Sequence, residues 1–205
     1  MTRLILVRHG ETVWNQERRY QGQQDSPLSP LGIRQAQETG KFLAREKIAA
    51  VYSSDLQRAW TTAQSIAKHH GLTPLADPRL REMSFGVWEG LTRDEIMIEY
   101  PDLFYARYQD SLTTRIPNGE LPPEVVLRFQ DFLDDCLPNH EDETIVIVSH
   151  GGSLRLIIAN LLHIPLEKSY CIHLGNAGIS ELLYTRNGLQ CSWEVLTLNS
   201  RGHLS

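Results

Sequence analysis

Three short apolar, β-branched runs constrain this chain most: RLILVR at 3–8, AAVYS at 49–53 and TIVIVS at 144–149. None alternates with polar residues, so each reads as a strand buried on both faces, the mark of a parallel sheet. Helical patterns lie between them. Ser29-Pro30 offers an N-cap and a first-turn proline for a helix to about Arg45, with Leu31, Ala36, Leu43 and Ala44 at helical spacing. Asp55 is the expected N-cap of a second helix that buries Ala59, Ala63, Ile66 and Ala67 and stops at Gly71. This βαβα alternation predicts an α/β fold, a mostly parallel central sheet flanked by helices on both faces, with right-handed crossovers.

From Thr92 the pattern changes. TRDE reads as a capping box, YPDLFYARY is dense in aromatic residues, and NGELPP is a turn cluster, so a helical cap-like insertion is expected at about 92–123, over the site. PPEVVLRFQDFLDDC and GGSLRLIIANLL are two further helices, and GISELLYTRNGLQCSWEVLTL reads as two strands around an Asn187-Gly188 turn. With no internal repeat or long linker, residues 1–205 are expected to form one domain.

Composition narrows the class without naming a function. Apolar residues make up 41% and charged residues 22%, the usage of a folded globular chain. A net charge of −5 gives no general attraction to nucleic acid or anionic lipid, so neither partner is expected. Cys136, Cys171 and Cys191 are odd in number and lack the spacing of a zinc cage or disulfide framework, which fits a reducing compartment. LILV is too short for a secretory core and LRLIIANLLHIPL, interrupted by Arg155 and Asn160, is too short for a span, so the expected location is the cytoplasm.

Two of the three strands end alike, in Arg8-His9-Gly10 and in Ser149-His150-Gly151-Gly152. Ligands of open α/β sheets bind beyond the carboxyl ends of strands, so neighbouring strands would bring both imidazoles to one crevice beside an arginine. Glycine after each histidine permits close backbone approach to an anion, and Gly151 opens a helix whose N-terminus favours negative charge. Arg58, in the first turn after the third strand, can aim a second guanidinium there, although on spacing alone it also fits an exposed helix position. Such a crevice suits a phosphate.

Together LVRHGET, SSDLQRAWTTA, LREMSFGVWEG and VSHGGSLR resemble the histidine phosphatase superfamily, in its phosphoglycerate-mutase-like branch. The resemblance implies that His9 accepts a phosphoryl group on nitrogen and that Arg8, Arg58, His150 and Gly151 surround its oxygens. It also places Asn15, Gln21 and Gly22 in a loop touching phosphate and substrate, and gives Glu82 the role of proton donor to the leaving group. Burial beside Phe85 and Trp88 is expected to favour the protonated carboxyl of Glu82. The remaining histidines His69, His70, His140, His163 and His173 have no such context, and Trp88, Phe104, Tyr105 and Tyr108 read as packing of a lid.

The reaction so implied is metal-independent and cofactor-free hydrolysis of small phosphomonoester metabolites, phosphoserine or α-ribazole phosphate foremost. The alternatives are a cofactor-dependent phosphoglycerate mutase and a non-catalytic phospho-ligand binding module. The short insertion and SFGVWEG favour the phosphatase over the mutase. The family's GGES is replaced here by Asn118-Gly119-Glu120-Leu121, which affects the substrate side of the pocket. An edge strand of the C-terminal hairpin is the expected place for a homodimer contact.

Overall fold

The computed structural model describes residues 1–187 and 190–204. Its three apolar runs are strands β1 (Thr2–Arg8), β2 (Ala50–Ser53) and, after the short β3 (Leu75–Ala76), β4 (Thr144–Ser149). With β5 (Ile179–Asn187) and β6 (Gln190–Ser200) they form one sheet in the order β3-β2-β4-β1-β5-β6. The first four strands are parallel to one another, and β5 and β6 add two antiparallel pairings at one side. The expected Asn187-Gly188 turn includes Gly188, which lies outside the described residues.

Two-sided burial explains the continuous apolar runs. Alternate residues of each central strand serve opposite layers: Leu4, Leu6, Ile145 and Ile147 meet one hydrophobic cluster, while Ile5, Val7, Val146 and Val148 meet the other. After a short turn of helix, α1 (Val13–Gln16), the second layer is supplied by α2 (Pro30–Leu43) and α3 (Gln57–Ala67), through Leu43, Ala59, Ala63 and Ile66. The insertion contributes α4 (Arg93–Glu99) and α5 (Pro101–Gln109). On the first face lie α6 (Pro122–Cys136) and α7 (Gly151–Leu161), through Phe129, Phe132, Leu154 and Ile157.

Local signals hold where they depend on neighbours in sequence. Ser29 caps α2, accepting from the amide of Gly32 at 3.0 Å, and Thr92 and Glu95 form the expected capping box on α4. Gly71 ends the short 3₁₀ turn after α3 at φ +65°, a left-handed cap for which glycine is suited.

Three expectations are corrected by the structure. Asp55 does not cap α3, because its carboxylate is drawn to Arg81, which donates to it from Nε at 2.7 Å. The amide of Gln57 donates instead to Asp25 at 2.8 Å, so a loop residue caps the helix from outside. In α2 the buried stripe runs through Gly32, Ala36, Gly40 and Leu43, whereas Leu31 and Ala44 are exposed. Within the insertion the helices end at Gln109, and Tyr105 and Tyr108 face solvent, while Trp88 and Phe104 pack with Ile96 and Ile116.

Between β1 and α2 two backbones cross without room for a side chain. A methyl group on Gly10 would strike the carbonyl of Gly32, and one on Gly32 would strike the carbonyl of Glu11. Helix propensity alone would make Gly32→Ala favourable by about 1 kcal/mol. Backbone overlap reverses that sign, and we expect a net loss of about 1–3 kcal/mol, read as a lower urea midpoint at unchanged slope. An unchanged or raised midpoint would show that the crossing relaxes freely.

Candidate active site

The register of β1 on β4 sets Arg8 beside Ser149, and the amide of His9 continues the ladder by donating to the Ser149 carbonyl at 3.0 Å. His9 and His150 therefore leave the sheet side by side, their ring centroids 5.1 Å apart at 60°. Both are buried. Nδ1 of His9 lies 2.7 Å from the carbonyl of Gly10, so this nitrogen carries the proton and Nε2 keeps its lone pair. Nε of Arg58 donates to Nδ1 of His150 at 3.2 Å, which fixes the opposite tautomer there and leaves a buried Nε2–H without a partner.

Arg58 is not an exposed helix residue: its side chain is 1% exposed. Burial of the α3 face turns it inward, where it donates to the carbonyls of Gly22 and Gln24 at 2.6 and 2.7 Å and to Asp25 at 3.1 Å. These bonds pull the loop after Tyr20 against the strand tips. Arg8 donates to the carbonyl of Leu174 at 2.7 Å and has a buried Nε with no partner. Burial, first of all, lowers both guanidiniums from their ordinary value, with Glu82 acting in the opposite direction. Two confined cations with free donors suit an anion with several oxygens.

A cavity of about 260 Å³ opens over His9, lined by Arg8, Asn15, Gln21, Gly22, Arg58, Glu82 and Phe85 among others. Oδ1 of Asn15 accepts from the amide of Thr12 and from Asn176, both at 3.1 Å, leaving its amide nitrogen to donate. Gln21 is buried, with an unpartnered Oε1. Gly22, at φ +54°, sits where any side chain would overlap the Glu89 carboxylate. His150 and Gly151 stand outside this lining, His150 buried against His9 and Gly151 where an added side chain would crowd the Arg8 guanidinium.

Glu82 differs most from expectation. Its carboxyl is held by the start of α7, where the amides of Gly152 and Ser153 each donate to it at 2.9 Å. The Ser153 hydroxyl adds a bond at 3.2 Å and the amide of Met83 another at 2.9 Å. The N-terminal charge site expected for phosphate is thus taken by a carboxyl of the protein itself. Glycine at 152 is what admits it, since a side chain there would collide with Glu82.

The profile of the histidine phosphatase superfamily (branch 1) matches residues 4–199. The chain belongs to this superfamily. A curated relative from Yersinia pestis, named a probable phosphoglycerate mutase, is 37% identical over all of this chain and 95% of its own. Among solved structures, a mycobacterial glucosyl-3-phosphoglycerate phosphatase complexed with VO3 superposes with TM-score 0.88 at 30% identity, covering 97% of this chain and 99% of that one. A putative α-ribazole-5'-P phosphatase from Escherichia coli gives TM-score 0.87 at 32% identity, covering 98% and 97%. By family and by these neighbours the chain is a phosphoric monoester hydrolase.

Several residues that brace this candidate site carry no obvious sequence signal. Asn176 donates to the His9 carbonyl at 3.2 Å, and the Thr62 hydroxyl accepts from the amide of Gly10 at 3.1 Å. Arg128 donates to the carbonyls of Arg79 and Glu82 and to Glu120, bracing the segment that presents Glu82. Glu120 also accepts from the amide of Ser84 at 2.8 Å, so the acidic residue of the altered NGEL turn acts as a brace. Glu89 collects the amides of Gln23, Gln24 and Phe85, a role visible in advance only as the acidic end of SFGVWEG. Among the described residues, no helix is long and apolar enough to cross a membrane.

Burial, then Arg58 and Arg8, hold His9 well below the ordinary histidine value; burial, then Arg58 and His9, do the same for His150. Below about pH 6.5 the unfolded chain takes up protons that the fold refuses, so stability is complete above that pH and declines on acidification. Each histidine contributes a slope of up to about 1.4 kcal/mol per pH unit. Urea unfolding between pH 7.5 and 5 should show this decline, and His150→Asn should flatten it. Equal slopes in both proteins would contradict a neutral buried His150.

Proposed function

We propose that this protein hydrolyses small phosphomonoesters through a phosphohistidine on Nε2 of His9, with no metal ion or cofactor. The observation that carries the reading is the His9 tautomer: Nδ1–H is bound to the Gly10 carbonyl, so the free lone pair sits on the nitrogen beside the cationic cavity. Attack by Nε2 on phosphorus breaks the ester P–O bond, and the departing oxygen takes a proton from Glu82. Water then attacks phosphorus, gives a proton back to Glu82 and releases inorganic phosphate, returning His9 to its neutral state. Arg8, Arg58 and the Nε2–H of His150 stabilise the equatorial oxygens, with Asn15, Gln21, Gly22 and Gly151 completing their surroundings.

Phosphoserine and α-ribazole phosphate are the substrates we favour, the second supported by the activity for which the Escherichia coli neighbour is named. Phosphoglycerate mutase is a second reading, favoured by the name of the Yersinia relative, in which the phosphoryl group returns to another hydroxyl instead of water. We assign the protein to the cytoplasm, with its three cysteines unpaired, and place a homodimer contact along edge strand β6, where Leu196 and Leu198 are exposed.

Incubation with a panel of phosphomonoesters in excess chelator should release inorganic phosphate, and acid-labile, base-stable label should appear on His9 after rapid quench. Transfer without release would establish the mutase, and neither would leave a binding module. His9→Ala should abolish turnover, and Glu82→Gln should lower kcat by about 100- to 10,000-fold for esters with poor leaving groups. Normal turnover by His9→Ala would remove the nucleophile from the scheme.

A further inference from the structure

A second, larger groove of about 1190 Å³ shares Tyr20, Glu82 and Phe85 with the His9 cavity and continues between α5, α7 and the 166–171 turn. An ester oxygen protonated by Glu82 carries its organic group past Glu82, and the groove lies on that side. Arg155 lines the groove from α7, three residues beyond Gly152 and hence on the helix face that holds Glu82.

The other groove arginines have partners. Arg107 donates to the carbonyls of Ser111 and Thr114, and Arg93 lies over the ring of Phe104 at 5.4 Å. Arg155 is half-buried, has a buried Nε with no hydrogen bond, and joins no ion pair among the described residues. Its charge is felt at Arg8 and at Tyr20, which places it near both cavities. A buried N–H without an acceptor is unfavourable unless a ligand supplies one. The Nε–H edge of an arginine fork matches the two oxygens of a carboxylate.

We infer that Arg155 is a specificity residue that binds a carboxylate on the organic part of the substrate, so that the preferred esters are phosphorylated carboxylic acids. This rests on the phosphatase reading above and sharpens it in favour of phosphoserine over α-ribazole phosphate, since a leaving group without a carboxylate would leave Arg155 unanswered.

The test uses two matched pairs that differ by a carboxylate: 3-phosphoglycerate against glycerol 3-phosphate, and O-phosphoserine against phosphoethanolamine. The wild-type protein should favour the carboxylated member of each pair by about 10- to 100-fold in kcat/KM. Arg155→Met should bring that ratio near one, and Arg155→Lys should restore part of it. No preference in the wild type, or the same ratio in Arg155→Met, overturns the proposal; an equal fall for both members shows a structural role and overturns it too. Should Arg155→Met fail to fold, the ratio in Arg155→Lys decides: an undiminished preference counts against the proposal and a reduced one for it. Calorimetric binding of the four esters to His9→Ala reads the same preference without turnover. Preference in binding with no phosphate released by the wild type would support Arg155 while refuting the phosphatase reading.

Discussion

Parallel pairing of β1 with β4 is the constraint on which the rest of the structure depends. Because the register ends with Arg8 beside Ser149, the next residue of each strand is a histidine, and both rings emerge at one edge of the sheet. A slip of one residue would send every apolar side chain of β1 to the opposite layer, so the two hydrophobic clusters that fix this register also fix the distance between His9 and His150. Chemistry and core packing are here one geometric fact.

Electrostatics then divides the tasks. The imidazoles are kept neutral by burial and by the arginines, while the arginines keep their charge because guanidinium is so strong a base. Arg58 does more than carry charge: by bonding the carbonyls of Gly22 and Gln24 it shapes the loop that walls the cavity. Glu82 is fixed in the same manner from the other side, by amides of α7 and by Arg128 beneath its carbonyl. A site assembled from such fixed dipoles and charges would have little reorganisation left to undergo in the phosphoryl transfer proposed for it.

Strand identity and the histidine tips were legible in the sequence because two-sided burial writes itself as an unbroken apolar run, and because a strand end is a local event. Caps formed by Ser29 and Thr92 were legible for the same reason. What escaped was decided by distant partners. Asp55 has the right type and place for a cap, yet Arg81 outcompetes the helix for it. Aromatic neighbours in sequence suggested an apolar surrounding for Glu82, whereas all but one of its donors lie about seventy residues downstream, on α7. Arg155 looked only like an interruption in an apolar stretch, and no spacing rule marks Asn176, whose amide reaches the His9 carbonyl from the far side of the site.

The sheet order has a consequence for synthesis. His9 emerges from the ribosome first, but its neighbour β4, its partner His150 and the Asn176 contact all belong to the last third of the chain. A nascent polypeptide lacking them holds β1 as an apolar strand with neither neighbour in place. Such long-range closure makes folding slow and leaves the early strands exposed to aggregation while translation continues. The histidine pair can therefore form only at the last stage of assembly, when the C-terminal strands reach the first one.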